Sequence, residues 1–135
     1  MRAVSSETVL VVEDEPALRE LEKLLLEEAG YDVFGAATPA DALALAAENV
    51  IDVLVVDVVM PGMSGPQLVE ELAARGSAVP ALFVSGYGAE EIASRGLAVA
   101  KTALIAKPFH PDVFLRRVRE MLDGVHEATR ADQPA

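Results

Sequence analysis

The sequence predicts an α/β domain in which helices cover both faces of a five-stranded parallel sheet. Three observations lead to this prediction. The chain has 135 residues, enough for a single domain with a substantial core. Five short apolar segments alternate along it with segments of helical periodicity. The segment 51–57 is almost continuously apolar and rich in valine, which is typical of a strand buried on both faces of a parallel sheet.

The first strand and the first helix follow from residues 8–30. Residues 8–12 are short and apolar, as a buried strand is. Pro16 suits the first turn of a helix, and Gly30 suits the position that ends one. Helical spacing predicts that the inner face of this helix consists of Leu18, Leu21, Leu25 and Ala29.

The remaining elements repeat this alternation. Residues 31–36 form the second predicted strand, and Thr38 can cap a helix whose first turn contains Pro39. The inner face of that helix is predicted to be Leu43, Ala44 and Ala47. Further strands are predicted at 51–57, 80–85 and 102–106. Further helices are predicted from about Pro66 to Arg75, near 89–96, and from Pro111 onward with Phe114, Leu115, Val118, Met121 and Leu122 facing inward.

Five parallel strands joined by right-handed crossovers leave few arrangements of the sheet. The favoured one is the flavodoxin-like (βα)5 fold with strand order 2-1-3-4-5, in which ligands bind at the switch point between the first and third strands. We expect the domain to span residues 8–123. An N-terminal extension, 1–7, would precede it, and a polar C-terminal tail, 124–135, would follow it.

The composition limits the classes of partner. Acidic residues outnumber basic ones 22 to 11, a formal charge of −11, which disfavours binding to nucleic acid or to an anionic membrane by the domain itself. The same charge permits a divalent cation. The chain has no cysteine, and therefore no disulfide framework and no thiolate metal ligand. Residues 1–8 lack the apolar core of a signal peptide, and we expect a cytoplasmic protein.

Acidic residues follow two of the predicted strands directly. Glu13 and Asp14 come after the first strand, and Asp57 ends the third. Since neighbouring strands lie about 4.8 Å apart, we expect these carboxylates to lie close together. Carboxylates that close repel one another, and Mg2+, which prefers oxygen ligands and often shares its shell with phosphate, would relieve the repulsion. The alternative for Glu13 and Asp14 is that they only end a strand and cap the following helix.

Two further polar residues come at the same predicted edge of the sheet. Lys107 follows the fifth strand, and Ser85 ends the fourth. A lysine binds phosphate as a point charge, and a serine hydroxyl can donate to a phosphoryl oxygen. Each of them alone is more simply explained as a polar residue at the end of a strand. Together with the acidic residues, they predict an aspartyl-phosphate site in which Asp57 is the nucleophile.

With these residues, the chain resembles the receiver (response-regulator) domain family of two-component signalling over residues 8–123. The resemblance lies in Glu13-Asp14, in Asp57-Val58-Val59-Met60-Pro61-Gly62-Met63-Ser64-Gly65, in Ser85-Gly86-Tyr87 and in Lys107-Pro108-Phe109. It implies Mg2+-dependent transfer of a phosphoryl group to Asp57 from a histidine kinase or a histidine phosphotransfer domain. It also implies that the backbone carbonyl of Val59 binds Mg2+ beside the three carboxylates, and that the peptide bond between Lys107 and Pro108 is cis.

The resemblance further implies a signalling domain rather than an enzyme, one that assists its own phosphorylation and dephosphorylation. In this family, phosphorylation draws the hydroxyl residue, here Ser85, toward the phosphate and repacks the face made by the fourth helix, fifth strand and fifth helix. That face would contact a downstream output protein or domain, or form a homodimer. Residues 7–15 and 83–87 are similar to those of receivers attached to hybrid histidine kinases, and a stand-alone receiver is the alternative.

Two positions determine how such a domain would behave. The fifth-strand position that usually carries Tyr or Phe is Leu104, and Tyr87 is expected either to take over part of the switch or to cover the site. Val59, two residues after the acceptor, is apolar and cannot position an attacking water, which predicts slow autodephosphorylation. The outer side of the last helix is expected to carry Arg116, Arg117 and Arg119 as a solvated face, and the alternative is that they meet an acidic partner.

Two other functions are alternatives. A phosphatase of the haloacid dehalogenase type also uses a nucleophilic Asp at the end of a strand. That family needs a second Asp two residues later, where this chain has Val59. A phosphorylation-independent adaptor on the same fold usually lacks one of the site residues, whereas all of them are present in this sequence.

Overall fold

Five strands and five α-helices alternate along the part of the chain that the computed structural model describes. That part comprises residues 7–131, with side chains described for 7–100 and 102–124. The strands are β1 (Thr8–Val12), β2 (Asp32–Ala36), β3 (Val53–Asp57), β4 (Ala81–Ser85) and β5 (Leu104–Ala106). The helices are α1 (Pro16–Glu28), α2 (Pro39–Glu48), α3 (Gly65–Ala74), α4 (Ala89–Ser94) and α5 (Pro111–Ala131). A short 3-10 turn, Lys101–Ala103, precedes β5.

All five strands pair in parallel within one sheet of order β2-β1-β3-β4-β5. The predicted flavodoxin-like order is therefore confirmed. Because the strands are parallel, their carboxyl ends meet at one edge of the sheet, where open α/β sheets bind ligands. β1 and β3 are neighbours, with Val12 level with Val56, so the residues that follow Val12 lie beside Asp57.

The sheet separates two apolar cores, because successive residues of a strand point to opposite faces. In β1, Leu10 and Val12 pack with buried residues of α2, α3 and α4, whereas Val9 and Val11 pack with buried residues of α1 and α5. All five residues of β3 are buried. The continuous apolar run in the sequence predicted this two-sided burial.

Local signals place the helix ends as predicted. Pro16 lies in the first turn of α1, and Gly30, just after its C-cap, has a φ of +102°, which glycine adopts without strain. The Thr38 hydroxyl caps α2 by accepting a backbone hydrogen bond at 3.1 Å. Ser64 and Gln67 form a reciprocal capping box that fixes the start of α3.

Two strands begin two residues later than predicted. β3 begins at Val53, and just before it the Asp52 carboxylate accepts a hydrogen bond from the backbone N–H of Thr8 at 2.7 Å. β5 begins at Leu104, because the chain forms the 3-10 turn immediately before it. The other strand boundaries agree to within one residue. α4 ends at Ser94, two residues earlier than predicted.

The inner face predicted for α1 was wrong. The side chains of α1 that are buried among its described neighbours are Glu22 and Leu26, whereas Leu21 and Ala29 are exposed. Leu18 and Leu25 are only partly buried. The prediction followed apolar spacing alone, which could not include the charged Glu22, so the predicted face is displaced from the buried one by part of a turn.

The inner face predicted for α2 was also displaced. Ala42 and Ala46 are buried, Leu43 is partly buried, and Ala44 and Ala47 are exposed. Alanine occupies both sides of this helix, so its spacing did not mark the inner face. The prediction for α5 was better, because Phe114, Val118 and Leu122 are buried, with Leu115 and Met121 partly buried beside them.

The predicted domain boundaries at residues 7 and 123 stay predictions. α5 continues through residue 123 to Ala131. Most of the predicted extension, 1–6, and the end of the predicted tail, 132–135, lie outside the described residues. Over the described part of the chain, each helix is too short or too polar to span a bilayer.

Candidate functional site

Three carboxylates converge at the carboxyl edge of the sheet. Glu13 and Asp14 follow β1, and Asp57 ends β3, the neighbouring strand. One oxygen of each carboxylate lies within 4.8 Å of the others. The predicted closeness of Asp14 and Asp57 is therefore confirmed. It follows from the parallel pairing of β1 and β3, since the two strands end at the same level.

These carboxylates differ in their exposure to solvent. Glu13 is 1% exposed and Asp57 is 9% exposed, whereas Asp14 is open to solvent. The backbone N–H groups of Glu15 and Val59 donate to Glu13 Oε2 at 3.1 Å and to Asp57 Oδ1 at 3.3 Å. Burial, together with the nearby charge of Asp57, raises the pKa of Glu13. The site thus has a buried floor and an exposed carboxylate at its entrance.

Lys107 supplies the positive charge at this site. Its Nζ donates to Asp57 Oδ2 at 2.8 Å and to Glu13 Oε1 at 3.2 Å. Burial lowers the pKa of the Lys107 ammonium, but the hydrogen bond and charge of Asp57, with those of Glu13, outweigh it and the pKa is raised. The lysine is therefore held protonated between the two buried carboxylates. The peptide bond between Lys107 and Pro108 is cis, as predicted.

The donor set fits a hard divalent cation. Three carboxylates meet one ammonium group, so the site has an excess of oxygen ligands and negative charge. Mg2+ favours such oxygen ligands and keeps part of its water shell, for which the exposed Asp14 leaves room. The alternative explanation by helix capping is not supported, because the N-cap of α1 is Glu15 and no side chain caps it.

Ser85 reaches the same edge from β4, but its hydroxyl is already engaged. The backbone N–H of Lys107 donates to the Ser85 carbonyl at 2.8 Å, which joins the ends of β4 and β5. Ser85 Oγ accepts from the backbone N–H of Tyr87 at 2.9 Å and donates to the Tyr87 carbonyl at 3.1 Å. The predicted phosphate-binding hydroxyl is thus buried and turned into the loop after β4.

Leu104 and Tyr87, the other two residues predicted to take part in the switch, have different surroundings. Leu104 faces Phe83 in the neighbouring strand and packs against the core that contains Ile92 of α4. Tyr87 stays 36% exposed, and the Arg95 guanidinium lies over its ring at 4.4 Å from the ring centre. Leu104 therefore acts as a core residue, whereas Tyr87 contacts a residue beyond the end of α4.

The start of α3 lies directly against Asp57. A Cβ atom at Gly65 would overlap the backbone oxygen of Asp57 and would lie 3.2 Å from the Phe83 ring. The Gly65 N–H also donates to the Val58 carbonyl at 2.8 Å. Only glycine allows this approach, so the loop between β3 and α3 is held closely against Asp57.

The last helix is less free than predicted. Arg119 makes a bidentate contact with the Glu7 carboxylate at 2.8 and 3.0 Å and also bonds Asp123. The Arg117 guanidinium donates to the Thr102 carbonyl at 2.6 Å. The expectation of a solvated face holds only in part for these two arginines, because both are partly exposed but also bind distant parts of the chain. Arg116 alone of the three is fully on the outer side.

Glu22 is a buried carboxyl group that the sequence did not reveal as part of this region. It lies on the inner face of α1 and is 1% exposed, and its Oε2 has no hydrogen-bond partner in the described part of the structure. Burial, with the charge of Glu13, raises the pKa of Glu22 to about 8. Its spacing of four residues from Leu26 was the available signal, but charge argued against burial.

An apolar groove opens beside Lys107. It has a volume of about 320 Å3 and is lined by Glu15, Leu18, Leu21, Lys107, Pro108 and Phe109. Leu21 is 44% exposed and, with Leu18, Pro108 and Phe109, gives the groove a mostly apolar lining. The groove runs from Leu18 and Leu21 of α1 to the loop that carries Lys107.

Comparisons with known proteins agree with this architecture. Residues 9–119 match the family described as "Response regulator receiver domain". The sensor kinase CckA of Brucella abortus is 40% identical over 120 residues, which cover 87% of this chain but 13% of that protein. The chain spans about half the length of the transcriptional regulatory proteins that it matches.

Solved structures show the same likeness. The chemotaxis protein CheY4 of Vibrio cholerae is 32% identical with a TM-score of 0.79, and the match covers 87% of this chain and 100% of that one. The response regulator TrrA of Thermotoga maritima, solved in complex with Mg2+ and BeF, is 27% identical with a TM-score of 0.71. That match covers 86% of this chain and 99% of the other.

The buried carboxyl group predicts an unusual pH dependence of stability. The pKa of Glu22 is raised in the folded state, so the folded state binds more protons than the unfolded one and stability falls as pH rises from about 4.5 to 8. Glu22→Gln removes this loss. The quantity to compare is the free energy of unfolding of the variant minus that of the parent. This difference should rise by about 3 kcal/mol from pH 5 to pH 8.

Urea unfolding at both pH values in EDTA measures this difference. Glu28→Gln, an exposed position on the same helix, is the control and should show no such gain. A Glu22→Gln variant that differs from the parent by the same amount at pH 5 and pH 8 would show that Glu22 titrates normally.

Proposed function

Because this chain belongs to the response regulator receiver domain family, we propose that it accepts a phosphoryl group on Asp57 in a two-component relay. The observation that carries the proposal is the contact of 2.8 Å between Lys107 Nζ and the buried Asp57 carboxylate, beside Glu13 and Asp14. Phosphoryl transfer depends mainly on positioning and electrostatic stabilisation, and this site supplies both.

Each residue has a defined part in the proposed reaction. The Asp57 carboxylate attacks the phosphorus of a phosphohistidine whose other ring nitrogen carries a proton. A P–O bond forms, the P–N bond breaks with its electron pair going to nitrogen, and the histidine leaves as neutral imidazole. Glu13, Asp14, Asp57 and the Val59 carbonyl would hold Mg2+. The cation would supply neutralisation of the charge that builds up during phosphoryl transfer. Lys107 is close enough to Asp57 to pair with a phosphoryl oxygen once the carboxylate is phosphorylated.

The phosphodonor is proposed to be a histidine kinase or a histidine phosphotransfer domain, which binds at the apolar groove beside Lys107. The groove borders the lysine that contacts Asp57, so a protein lying in it can present a phosphohistidine to the acceptor. Its exposed leucine suits the apolar side of a partner helix. Histidine kinases use intracellular ATP, so the proposal includes a cytoplasmic location.

The downstream partner of the domain is proposed in outline only. We propose that phosphorylation alters the face made by α4, β5 and α5, which then binds a downstream protein or domain or a second copy of the chain. The domain would act either as a stand-alone receiver or as part of a longer hybrid kinase. Direct binding to nucleic acid or membrane is not part of the proposal, given the formal charge of −11.

The two alternative functions have weaker support. An adaptor that needs no phosphorylation does not require the exposed Asp14 beside the two buried carboxylates that Lys107 bridges. A phosphatase of the haloacid dehalogenase type needs an acid two residues after the nucleophile, and Val59 is packed against the apolar core instead. The domain is therefore proposed to turn over only its own phosphoryl group.

Phosphorylation of Asp57 is the direct test. Incubation with acetyl phosphate and Mg2+ should add the mass of one phosphoryl group to the parent, and EDTA should prevent it, because the excess of carboxylates needs a cation. Asp57→Asn should show no gain in intact-protein mass spectrometry. Asp32→Asn, at an exposed carboxylate away from the site, should behave as the parent does. An equal gain in Asp57→Asn would refute the assignment and favour the adaptor.

The docking groove is tested by separating protein donors from small ones. Leu21→Glu places a charge in the apolar groove and should slow transfer from a phosphorylated histidine phosphotransfer domain by about tenfold or more. Its rate with acetyl phosphate should not change. Leu24→Glu is the matched control, since Leu24 is 52% exposed on the same helix but lies outside the groove. Equal slowing by both variants, measured by radiolabel transfer, would contradict the proposed groove.

The lifetime of the phosphoryl group is predicted to depend on Val59. Its apolar side chain offers no group that orients an attacking water, and hydrolysis should be slow. Val59→Asn introduces an amide that can do so and should shorten the half-life by about tenfold. Val59→Ile, which stays apolar, should keep the parent's half-life. The loss of phosphoprotein over time after removal of the donor measures the half-life of each variant. A half-life in Val59→Asn that is unchanged or longer would contradict the predicted role of Val59.

A further inference from the structure

The Ser85 hydroxyl cannot serve a phosphoryl group while it keeps its present contacts. A serine hydroxyl has one proton to donate, and here that proton is donated to the Tyr87 carbonyl at 3.1 Å. The same oxygen accepts from the Tyr87 N–H at 2.9 Å. Two short contacts therefore tie the hydroxyl to the backbone of Tyr87. Donation to a phosphate at Asp57 requires the bond to the Tyr87 carbonyl to break.

Tyr87 is itself held from the other side. The Arg95 guanidinium lies 4.4 Å from the centre of the Tyr87 ring, a favourable cation–π distance. Arg95 is the C-cap residue of α4, and its Nη2 lies 3.4 Å from the Glu91 carboxylate one turn earlier. A side-chain contact thus joins the loop after β4 to the far end of α4.

The fifth-strand position that usually carries an aromatic residue in this family is Leu104 in this chain. Leu104 has no ring to rotate, and it packs in the core between the sheet and α4. Among the described residues, polar and aromatic contacts connect the site to the end of α4 by way of Ser85, Tyr87 and Arg95.

We propose that Arg95 is a positioning residue for Ser85: by holding Tyr87, it keeps the hydroxyl on the Tyr87 backbone and opposes its donation to a phosphoryl group at Asp57. The proposal rests on the proposed function. It implies reciprocity, because two coupled equilibria must affect each other by the same free energy. A phosphoryl group at Asp57 releases Arg95 from Tyr87, and loss of Arg95 favours the phosphoryl-bound state.

Affinity for beryllofluoride in the presence of Mg2+ tests this inference, with the full chain and calorimetric titration. Arg95→Gln should bind the probe about threefold more tightly than the parent, the effect expected from losing one partly exposed cation–π contact. Arg95→Lys keeps a cation over the ring and should stay near the parent. Arg75→Gln is the matched control, because Arg75 is the C-cap of α3 with the same ion pair one turn back, to Glu71, but has no tyrosine beside it.

A second background separates positioning from a general effect on stability. In Ser85→Ala there is no hydroxyl to hold, and adding Arg95→Gln should not change probe affinity. The chain has two tyrosines and no tryptophan, so Tyr31→Phe leaves Tyr87 as the sole fluorophore. Its fluorescence should change when Mg2+ and beryllofluoride are added, and the change should be smaller in Tyr31→Phe with Arg95→Gln.

The outcomes distinguish this inference from the function on which it rests. A parent that does not bind beryllofluoride at all would overturn the proposed function. A parent that binds, with Arg95→Gln equal to it or weaker, would overturn the inference alone. An equal gain in affinity from Arg95→Gln and Arg75→Gln, or a gain that persists in Ser85→Ala, would also overturn it, because neither result needs Tyr87.

Discussion

One ammonium group allows two buried carboxylates to share an edge of the sheet. Lys107 Nζ lies 2.8 Å from Asp57 and 3.2 Å from Glu13, and both acids are almost without solvent. Removing one partner of a buried ion pair leaves an uncompensated charge, which costs about 3–5 kcal/mol. The contact also joins the ends of β1 and β3 to the loop after β5. The candidate site is therefore part of what holds the carboxyl edge together.

The fold supports this concentration of charge with a buried apolar strand and a closely packed helix start. β3 is buried along its whole length, so its last carboxylate is presented by a rigid element. Gly65 brings the start of α3 into contact with the backbone of Asp57. On the other face, Glu22 adds a buried carboxyl group that has no partner for Oε2. A buried carboxyl group without a partner lowers the stability of the fold.

The sequence predicted the architecture well because its signals were local. The continuous apolar run at 51–57 predicted β3 as a strand buried on both faces. Proline and threonine predicted the starts of α1 and α2. The number of strands favoured the order that the sheet adopts. The faces of α1 and α2 were predicted less well. Apolar spacing alone could not show that Glu22 is buried, and alanine on both sides of α2 hid its inner face. The contact of Arg95 with Tyr87 left no pattern in the sequence.

The sequence by itself determined the elements, their order in the sheet and the acids, hydroxyl and lysine that arrive at its carboxyl edge. Those properties depend on local periodicity and on the rules of strand connection. Only the tertiary structure decided which charges are buried, that Lys107 bridges Glu13 and Asp57, and that the Ser85 hydroxyl is turned toward Tyr87. These contacts join segments far apart in the chain, and packing among those segments, not spacing along the chain, sets them.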